Sequence, residues 1–204
     1  MRYSPDHKEK TRARILESAA TAFRRDGYHA TGVDKVMEEA GLTAGGFYAH
    51  FPSKDAMLAE ALEHCAATGR GMLDLSAEEV DDHERAAAMV DGYLTASHRG
   101  QPESGCPLPS LAAEVSRAGK KPRQAFERLV GGLINKIEAA LPADQAHDRA
   151  IAIAALCVGG MTLARAVHDP EFSDQILAAC RAFAHENLER HQEPKASKHR
   201  RRAD

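Results

Sequence analysis

The chain has only four cysteines among its 204 residues, and no two of them form a C-x-x-C pair. Cys65, Cys106, Cys157 and Cys180 are widely spaced, so neither a disulfide framework nor a structural zinc site is expected. The eleven histidines form no H-E-x-x-H motif and show no pairing with the cysteines. We therefore predict no metal site and no cofactor.

Long apolar segments are also missing. The chain has no run of 18 apolar residues, and charged residues make up 28% of it, which argues against insertion in a membrane. The N-terminus, MRYSPDHKEKTR, is polar and charged, unlike a signal peptide. We expect a cytoplasmic protein with no membrane partner.

The signatures of several enzyme classes are absent as well. The chain contains no phosphate-binding loop, no G-x-S-x-G and no Glu-x-x-His pair in two copies. We therefore expect no enzymatic activity. An enzyme built on a helical bundle stays as one alternative, and a helical protein-interaction module that binds no DNA as another.

Charge is distributed unevenly along the chain. The net charge is −3, but residues 1–54 carry nine basic and seven acidic residues, a net of +2 that leaves −5 for the rest. Five of the basic residues lie near the start, where a flexible arm can meet phosphates: Arg2, Lys8, Lys10, Arg12 and Arg14. This asymmetry alone supports nucleic-acid binding only weakly.

Residues 31–54, TGVDKVMEEAGLTAGGFYAHFPSK, predict two short helices joined by a tight turn. The first helix has one apolar face, formed by Val33, Val36, Met37 and Ala40. Thr31 stands where its hydroxyl can cap this helix. Gly41 follows the helix, at a position that needs a positive φ.

The second helix, roughly residues 44–51, is short and has small residues at its start. Phe47 and Phe51 lie four positions apart and can anchor it to the core, while Pro52 stops it. The residues left facing outward are Ala44, Gly45, Gly46, Tyr48 and His50. This pattern predicts a helix-turn-helix. A helical hairpin with a buried aromatic pair and no nucleic acid is the alternative.

The helix-turn-helix prediction assigns a role to each outward residue. Phosphate contacts are expected from polar side chains at helix starts and on the outward face, namely Thr31, Thr43, Tyr48, His50 and Lys54. Close approach to base edges is expected from the small residues Ala44, Gly45 and Gly46. Because the double glycine leaves few base-reading groups, specificity also depends on Lys35 or on DNA shape. For His50, packing on Phe47 is the alternative role.

The segment Gly41-Leu42-Thr43, followed by GFYAHF at residues 46–51 and by Lys54, resembles the signature of TetR (tetracycline-repressor) family transcription regulators. The resemblance covers about the first sixty residues. It implies a DNA-binding head at residues 1–54, a helical ligand-binding and dimerisation body at 55–190, and a basic tail at 191–204. It also implies a homodimer that binds double-stranded DNA at a palindromic operator, as a repressor released by a small-molecule or electrophile inducer. The double glycine departs from many relatives, which carry a larger or polar side chain there.

Downstream of the head, helical periodicity continues to the end of the chain. We predict an all-α protein of about nine helices, with no strand. The helix predicted at residues 146–168 is apolar almost all round, so it needs a partner on each side. A second subunit can supply one of these partners. A monomer whose own helices cover this helix is the alternative.

A ligand pocket is expected among the middle helices. The candidate residues are apolar walls with a few polar contacts: Met89, Tyr93, His98, Phe126, Leu129, Val130, Met161 and Arg165. The alternative for each is ordinary core, which apolar stripes in any helical bundle favour. Cys106 precedes a predicted helix, and a helix N-terminus lowers the pKa of a thiol. Its Gly-Cys segment also resembles a TetR subgroup in which a cysteine in this loop senses reactive species. The alternative is that Cys106 is a small buried hydrophobe.

Overall fold

The computed structural model describes residues 5–68, 81–142 and 146–189. Within these ranges the chain forms nine α-helices and one 3₁₀ helix, with no strand, so the all-α prediction is confirmed. Disorder is predicted for residues 1–6, but α1 already begins at Pro5. Residues 1–4, the predicted continuation of a helix to about residue 75 and the basic tail at 191–204 lie outside the described residues.

The elements follow one another with short connections. In chain order they are α1 (Pro5–Asp26), α2 (Val33–Glu39), the 3₁₀ helix (Ala44–Ala49), α3 (Lys54–Thr68), α4 (Asp82–Tyr93), α5 (Ala96–Gly100), α6 (Pro107–Val115), α7 (Lys120–Glu138), α8 (Ala146–Ala166) and α9 (Pro170–Glu189).

One predicted helix, at residues 79–99, is divided in two. It ends at Tyr93, and a new helix begins after Thr95, whose hydroxyl accepts the N–H of His98 at 3.0 Å. A threonine hydroxyl offers the backbone an alternative to the next helical hydrogen bond, which is why threonine favours helix starts over helix interiors. The sequence prediction overlooked this cap.

The head consists of α1, α2 and the 3₁₀ helix around a common apolar centre. Its fully buried members come from all three elements and from the residues that follow: Ile15, Ala19, Phe23, Val36, Met37, Phe47 and Phe51. Helix α3 packs against α1 on one side and against α7 on the other. It therefore joins the head to the body.

The body is a bundle in which α8 packs against α6, α7 and α9, and α4 packs against α9. Among the described residues, α8 is the one helix long and apolar enough to cross a membrane by length and composition. A core helix of a soluble protein passes the same test. One face of α8 is buried, including Ile153, Cys157 and Met161, whereas Leu163 is 58% exposed.

Two glycines in the described structure have positive φ, and both end helices as expected. Gly27 follows α1 with φ +87°, and Gly41 follows α2 with φ +67°. At Gly41 an added Cβ would lie 3.0 Å from the guanidinium of Arg14, which donates a hydrogen bond to the carbonyl of Ala40. Gly41 is therefore required both by its backbone conformation and by this close approach.

We expect Gly41→Ala to lower the free energy of unfolding by about 1–2 kcal/mol, because an L-residue is strained in the left-handed region. The matched control is Gly132→Ala in the middle of α7, where a Cβ meets nothing within 4 Å. That control should gain about 0.5–1 kcal/mol from helix propensity. Urea unfolding at one protein concentration measures both, and equal effects would contradict the assignment.

Candidate nucleic-acid interface

The 3₁₀ helix is held from its inner side by two aromatic rings. Phe47 and Phe51 are each 1% exposed, and their rings stack with centroids 5.8 Å apart. The guanidinium of Arg12 lies 4.3 Å from the Phe51 ring centroid, a favourable cation–π distance. These contacts fix the orientation of the short helix, as the phenylalanine spacing predicted.

The outer side of the same helix is exposed and made of small residues and one aromatic ring. Thr43, Ala44, Gly45 and Ala49 are exposed, and Tyr48 is 79% exposed. Tyrosine combines an apolar ring with a polar hydroxyl, and for that reason it is enriched at interfaces.

The two glycines at the start of this helix differ from the two helix-ending glycines. Neither Gly45 nor Gly46 has a positive φ. A Cβ at Gly45 would meet nothing within 4 Å, and one at Gly46 would make an ordinary 3.6 Å contact with Met37. The fold therefore does not require glycine at residue 45. What glycine does provide there is room for another molecule to approach the backbone.

Thr43 fits its predicted position. It precedes the 3₁₀ helix in an extended conformation, its side chain makes no capping hydrogen bond, and it is exposed. Its hydroxyl is therefore available at the helix start.

Thr31 does not fit its predicted role. It is fully buried, and its hydroxyl donates to the carbonyl of Gly27 at 2.7 Å. Helix α2 is preceded instead by Gly32, with no side-chain cap. Because the hydroxyl of Thr31 and its N–H, which donates to the same Gly27 carbonyl at 3.2 Å, are both bonded inside the head, this residue cannot contact phosphate.

Lys54 is also bonded within the protein. Its ammonium donates to the carbonyl of Tyr28 and lies 4.3 Å from the centroid of the Tyr28 ring. Partial burial lowers the pKa of Lys54, opposed by the carboxylates of Glu114 and Asp55. The structure thus places Lys54 in an internal contact, contrary to the prediction of a free phosphate-binding side chain.

Lys35 is exposed on α2 and forms an ion pair with Asp26 at 3.0 Å. Asp26 also bonds the Arg25 guanidinium, and these two contacts lower the pKa of Asp26 to about 2. Exposed ion pairs of this kind contribute little free energy, so Lys35 can exchange this partner for a phosphate.

His50 lies half-buried at the end of the 3₁₀ helix. Burial, together with the nearby charges of Lys8 and Arg12, lowers its pKa, so the ring is neutral at pH 7. Its Nδ1 is buried, with no hydrogen-bond partner among the described residues. Any phosphate contact of His50 is therefore that of a neutral N–H donor.

Two arginines expected in a flexible arm are instead part of α1. Arg12 donates to the carbonyl of His50 and to the carboxylate of Glu60, and Arg14 donates to the carbonyl of Ala40. Both arginines therefore stabilise the helix-turn-helix from inside the head. Their partners lie 26–48 residues away in sequence, which is why composition alone did not identify this role.

In the body, the structure brings four of the predicted ligand residues together. The His98 ring packs edge-on against Tyr93, with centroids 4.6 Å apart, and its Nδ1 lies 2.7 Å from the Tyr93 carbonyl. The Cys106 N–H donates to His98 Nε2 at 3.0 Å, and Arg165 donates to the His98 carbonyl at 2.7 Å. Because Nε2 accepts, the ring proton is on Nδ1 and points to the Tyr93 carbonyl.

We call Tyr93, His98, Cys106 and Arg165 the polar cluster. The hydroxyl of Tyr93 is buried in it and interacts with the Cys106 thiol, a weak hydrogen-bonding group; no stronger partner is present among the described residues. The other predicted pocket residues lie in the hydrophobic core or pack against it: Met89, Phe126, Leu129, Val130 and Met161.

The prediction for the pKa of Cys106 was wrong. Cys106 does stand directly before α6, but its side chain is 1% exposed. Burial raises the pKa of the thiol, and the smaller opposing effects of the Tyr93 side chain and the Leu108 backbone do not reverse this. The free-energy cost of desolvating the thiolate here is larger than its stabilisation by the helix N-terminus.

The matches to known proteins extend over different parts of the chain. The profile of the family described as bacterial regulatory proteins, tetR family, matches residues 15–61. The uncharacterised helix-turn-helix regulator YfiR of Bacillus subtilis is 38% identical over 89 residues, which are 44% of this chain and 42% of that protein. This chain thus aligns with less than half of YfiR. Rv0196 of Mycobacterium tuberculosis, also an uncharacterised helix-turn-helix regulator, is 26% identical over 169 residues, covering 78% of this chain and 86% of that protein.

Solved structures extend the likeness to the body. The reduced form of NemR from Escherichia coli has a TM-score of 0.71 at 23% identity, covering 86% of this chain and 95% of NemR. A TetR-family regulator from Agrobacterium tumefaciens has a TM-score of 0.69 at 18% identity, covering 86% of this chain and 98% of that one. These two likenesses concern the fold alone. The family profile and both relatives are described as regulators. At residues 15–61 the chain is thus similar to the TetR family of regulators, and in fold it is similar to a solved regulator of that family.

Proposed function

We propose that the protein is a homodimeric, sequence-specific repressor that binds a palindromic operator and leaves it when a small molecule occupies the body. The observation that carries the proposal is the outer face of the 3₁₀ helix. The fold would accommodate a side chain at Gly45, and Tyr48 is 79% exposed. Small residues allow a helix backbone to lie close to base edges in a major groove.

The residues of this face divide into two groups. Ala44, Gly45 and Gly46 approach the base edges, and the Ala44 methyl can contact a thymine methyl. Thr43 and Tyr48 donate to phosphates, with His50 as a neutral donor beside them. Lys35 reaches the DNA only by exchanging its ion pair with Asp26. We retain the division of the chain into a head at residues 1–54, a body at 55–190 and a tail at 191–204 as part of the proposal.

Dimerisation through α8 and α9 is supported by apolar side chains that lie exposed on the single chain. Phe172 and Phe183 are 51% and 54% exposed on α9, and Leu163 is 58% exposed on α8. Phe172 and Phe183 are eleven residues apart, about three helical turns, so they share one face. A two-fold pairing of this face buries all three side chains. It also places two heads so that an operator of two inverted half-sites fits them.

The inducer site is proposed at the polar cluster. Among the described residues, the buried hydroxyl of Tyr93 has only the weak Cys106 thiol as a partner, and such a group gains a stronger hydrogen bond from a polar ligand. Since burial keeps the Cys106 thiol protonated and out of solvent, reversible binding of a ligand is favoured over thiol modification as the inducing event. We propose the cytoplasm as the place of action, because the relatives are described as transcriptional regulators, which act on DNA.

The DNA-binding proposal is tested by selecting binding sites from a pool of random duplexes. We expect an inverted repeat, and an affinity that falls steeply with salt because phosphate contacts release counterions. Tyr48→Ala should weaken operator binding about tenfold or more, while the unfolding midpoint hardly changes because the side chain is exposed. Tyr48→Phe separates the loss of the hydroxyl from the loss of the ring. An unstructured set of selected sequences, or salt-independent binding, would rule out the proposal.

The dimer is tested with Phe183→Glu, which places a charge on the proposed interface. We expect a monomer by light scattering, and operator binding reduced about a hundredfold because two linked heads bind far more tightly than one. The matched control is Tyr48→Glu, another exposed aromatic replaced by glutamate, which should remain dimeric. If Phe183→Glu also stays dimeric, the interface lies elsewhere.

The state of Cys106 is tested by reaction of the native protein with N-ethylmaleimide near neutral pH. We expect Cys106 to react about a hundredfold more slowly than in urea, because its thiol is buried and its pKa is raised. Half-buried Cys180 is the internal comparison and should react faster. Peptide mass spectrometry after a denaturing quench gives both rates. Rapid native labelling of Cys106 would restore the thiol switch as the inducing event.

A further inference from the structure

Tyr28 lies in the loop between α1 and α2 and is 6% exposed. Each part of it is held by a different group. Its N–H donates to Glu114 at 2.7 Å, its carbonyl accepts the Lys54 ammonium, and its hydroxyl donates to Asp55. Its ring packs edge-on against Phe23, with centroids 5.4 Å apart. One residue of the head thus contacts α1, α3 and α6.

Glu114 is the contact from the body. It lies in the last turn of α6, and its carboxylate accepts the N–H of Tyr28 at 2.7 Å and that of His29 at 2.9 Å. Its other contact is His29 Nδ1, at 3.0 Å. Burial disfavours the charged carboxylate, but the backbone N–H groups of His29 and Tyr28, together with the His29 side chain, outweigh burial and lower the pKa of Glu114. The carboxylate is therefore ionised at pH 7.

Gly27 makes this approach possible. It has φ +87°, and an added Cβ would lie 3.3 Å from a carboxylate oxygen of Glu114. Glycine at this position therefore serves two purposes: it ends α1, and it leaves space for a side chain that comes from the body.

Asp55 makes a second connection to the body. One of its carboxylate oxygens accepts the Tyr28 hydroxyl, and the other accepts the N–H of Gly119 at 3.2 Å. Gly119 immediately precedes α7. The side chain and the backbone of Tyr28 are thus linked to two separate points of the body, and two such links oppose rotation of the head about either one.

We propose that Tyr28, through its hydrogen bonds to Glu114 and Asp55, is the positioning residue that fixes the angle of the head on the body. This angle determines which half-site separation the dimer accepts. This inference rests on the proposed binding of a palindromic operator by a dimer. Adding one base pair between half-sites moves one of them by about 3.4 Å and turns it by about a tenth of a turn. A dimer whose heads are held at a fixed angle should lose much affinity when the separation changes, and a dimer whose heads can rotate should lose less.

The test uses operators whose half-site separation differs from the selected one by one or two base pairs, together with a duplex that carries a single half-site. We expect the wild type to prefer the selected separation by about tenfold or more over its neighbours. Tyr28→Phe keeps the ring and the backbone contacts but loses the hydroxyl bond to Asp55. It should reduce that preference by about threefold or more, with single half-site binding and salt dependence unchanged.

A stability control separates positioning from a merely structural role. Ile137→Val removes one methylene from a fully buried side chain of α7 that makes none of the described contacts with Tyr28. It should lower the free energy of unfolding and leave those contacts in place. If Tyr28→Phe weakens binding to every operator by one common factor, as Ile137→Val should, the inference is wrong.

A second variant keeps the inference testable if Tyr28→Phe does not fold. Glu114→Gln keeps a side-chain oxygen for one N–H but removes the charge that holds two of them. It too should flatten the dependence on half-site separation, and an unchanged dependence would overturn the inference. Failure of the wild type to bind any selected duplex would instead refute the proposed function, and this inference with it.

Discussion

The burial of Phe47 and Phe51 is the interaction on which the DNA-binding head depends. The 3₁₀ helix has only six residues, too few to be stable by its own hydrogen bonds. Two stacked rings, each 1% exposed, hold it against the head, and Arg12 covers one of them. Because all of the anchoring is on the inner side, the outer side is free to carry glycine and alanine, which contribute nothing to stability there.

This part of the molecule was predictable from sequence because its causes are local. The positive φ of Gly41, the apolar face of α2 and the four-residue spacing of the two phenylalanines all operate within a few positions along the chain. Most helix ends in the body were predictable for the same reason, since proline and glycine mark them. The division between α4 and α5 was missed although its signal, Thr95, is also local.

The failures concern side chains whose surroundings are decided by tertiary packing and not by the neighbouring residues. Lys54 binds the carbonyl of Tyr28, 26 residues earlier, and no local pattern marks that contact. Thr31 does bind nearby carbonyls, but only the packing of the head decides that it points inward. For Cys106 the local argument, a helix N-terminus, was correct in itself. Burial by residues from other helices is the larger effect, and it reversed the direction of the pKa shift.

These internal contacts affect how the head can recognise DNA. Thr31, Lys54, Arg12 and Arg14 are all engaged within the protein, so the exposed face is left with small residues and few charges. A face of this kind reads few base edges, and one head alone discriminates sequences poorly. In the proposed dimer, discrimination comes from the requirement that two heads fit two half-sites at once, which works only if each head is held at a fixed angle. Lys54 is one of the groups withdrawn from the exposed face, and it donates to the carbonyl of Tyr28 instead. If Tyr28 fixes the angle of the head, as proposed, the contact that removes Lys54 from direct readout also supports recognition by half-site separation.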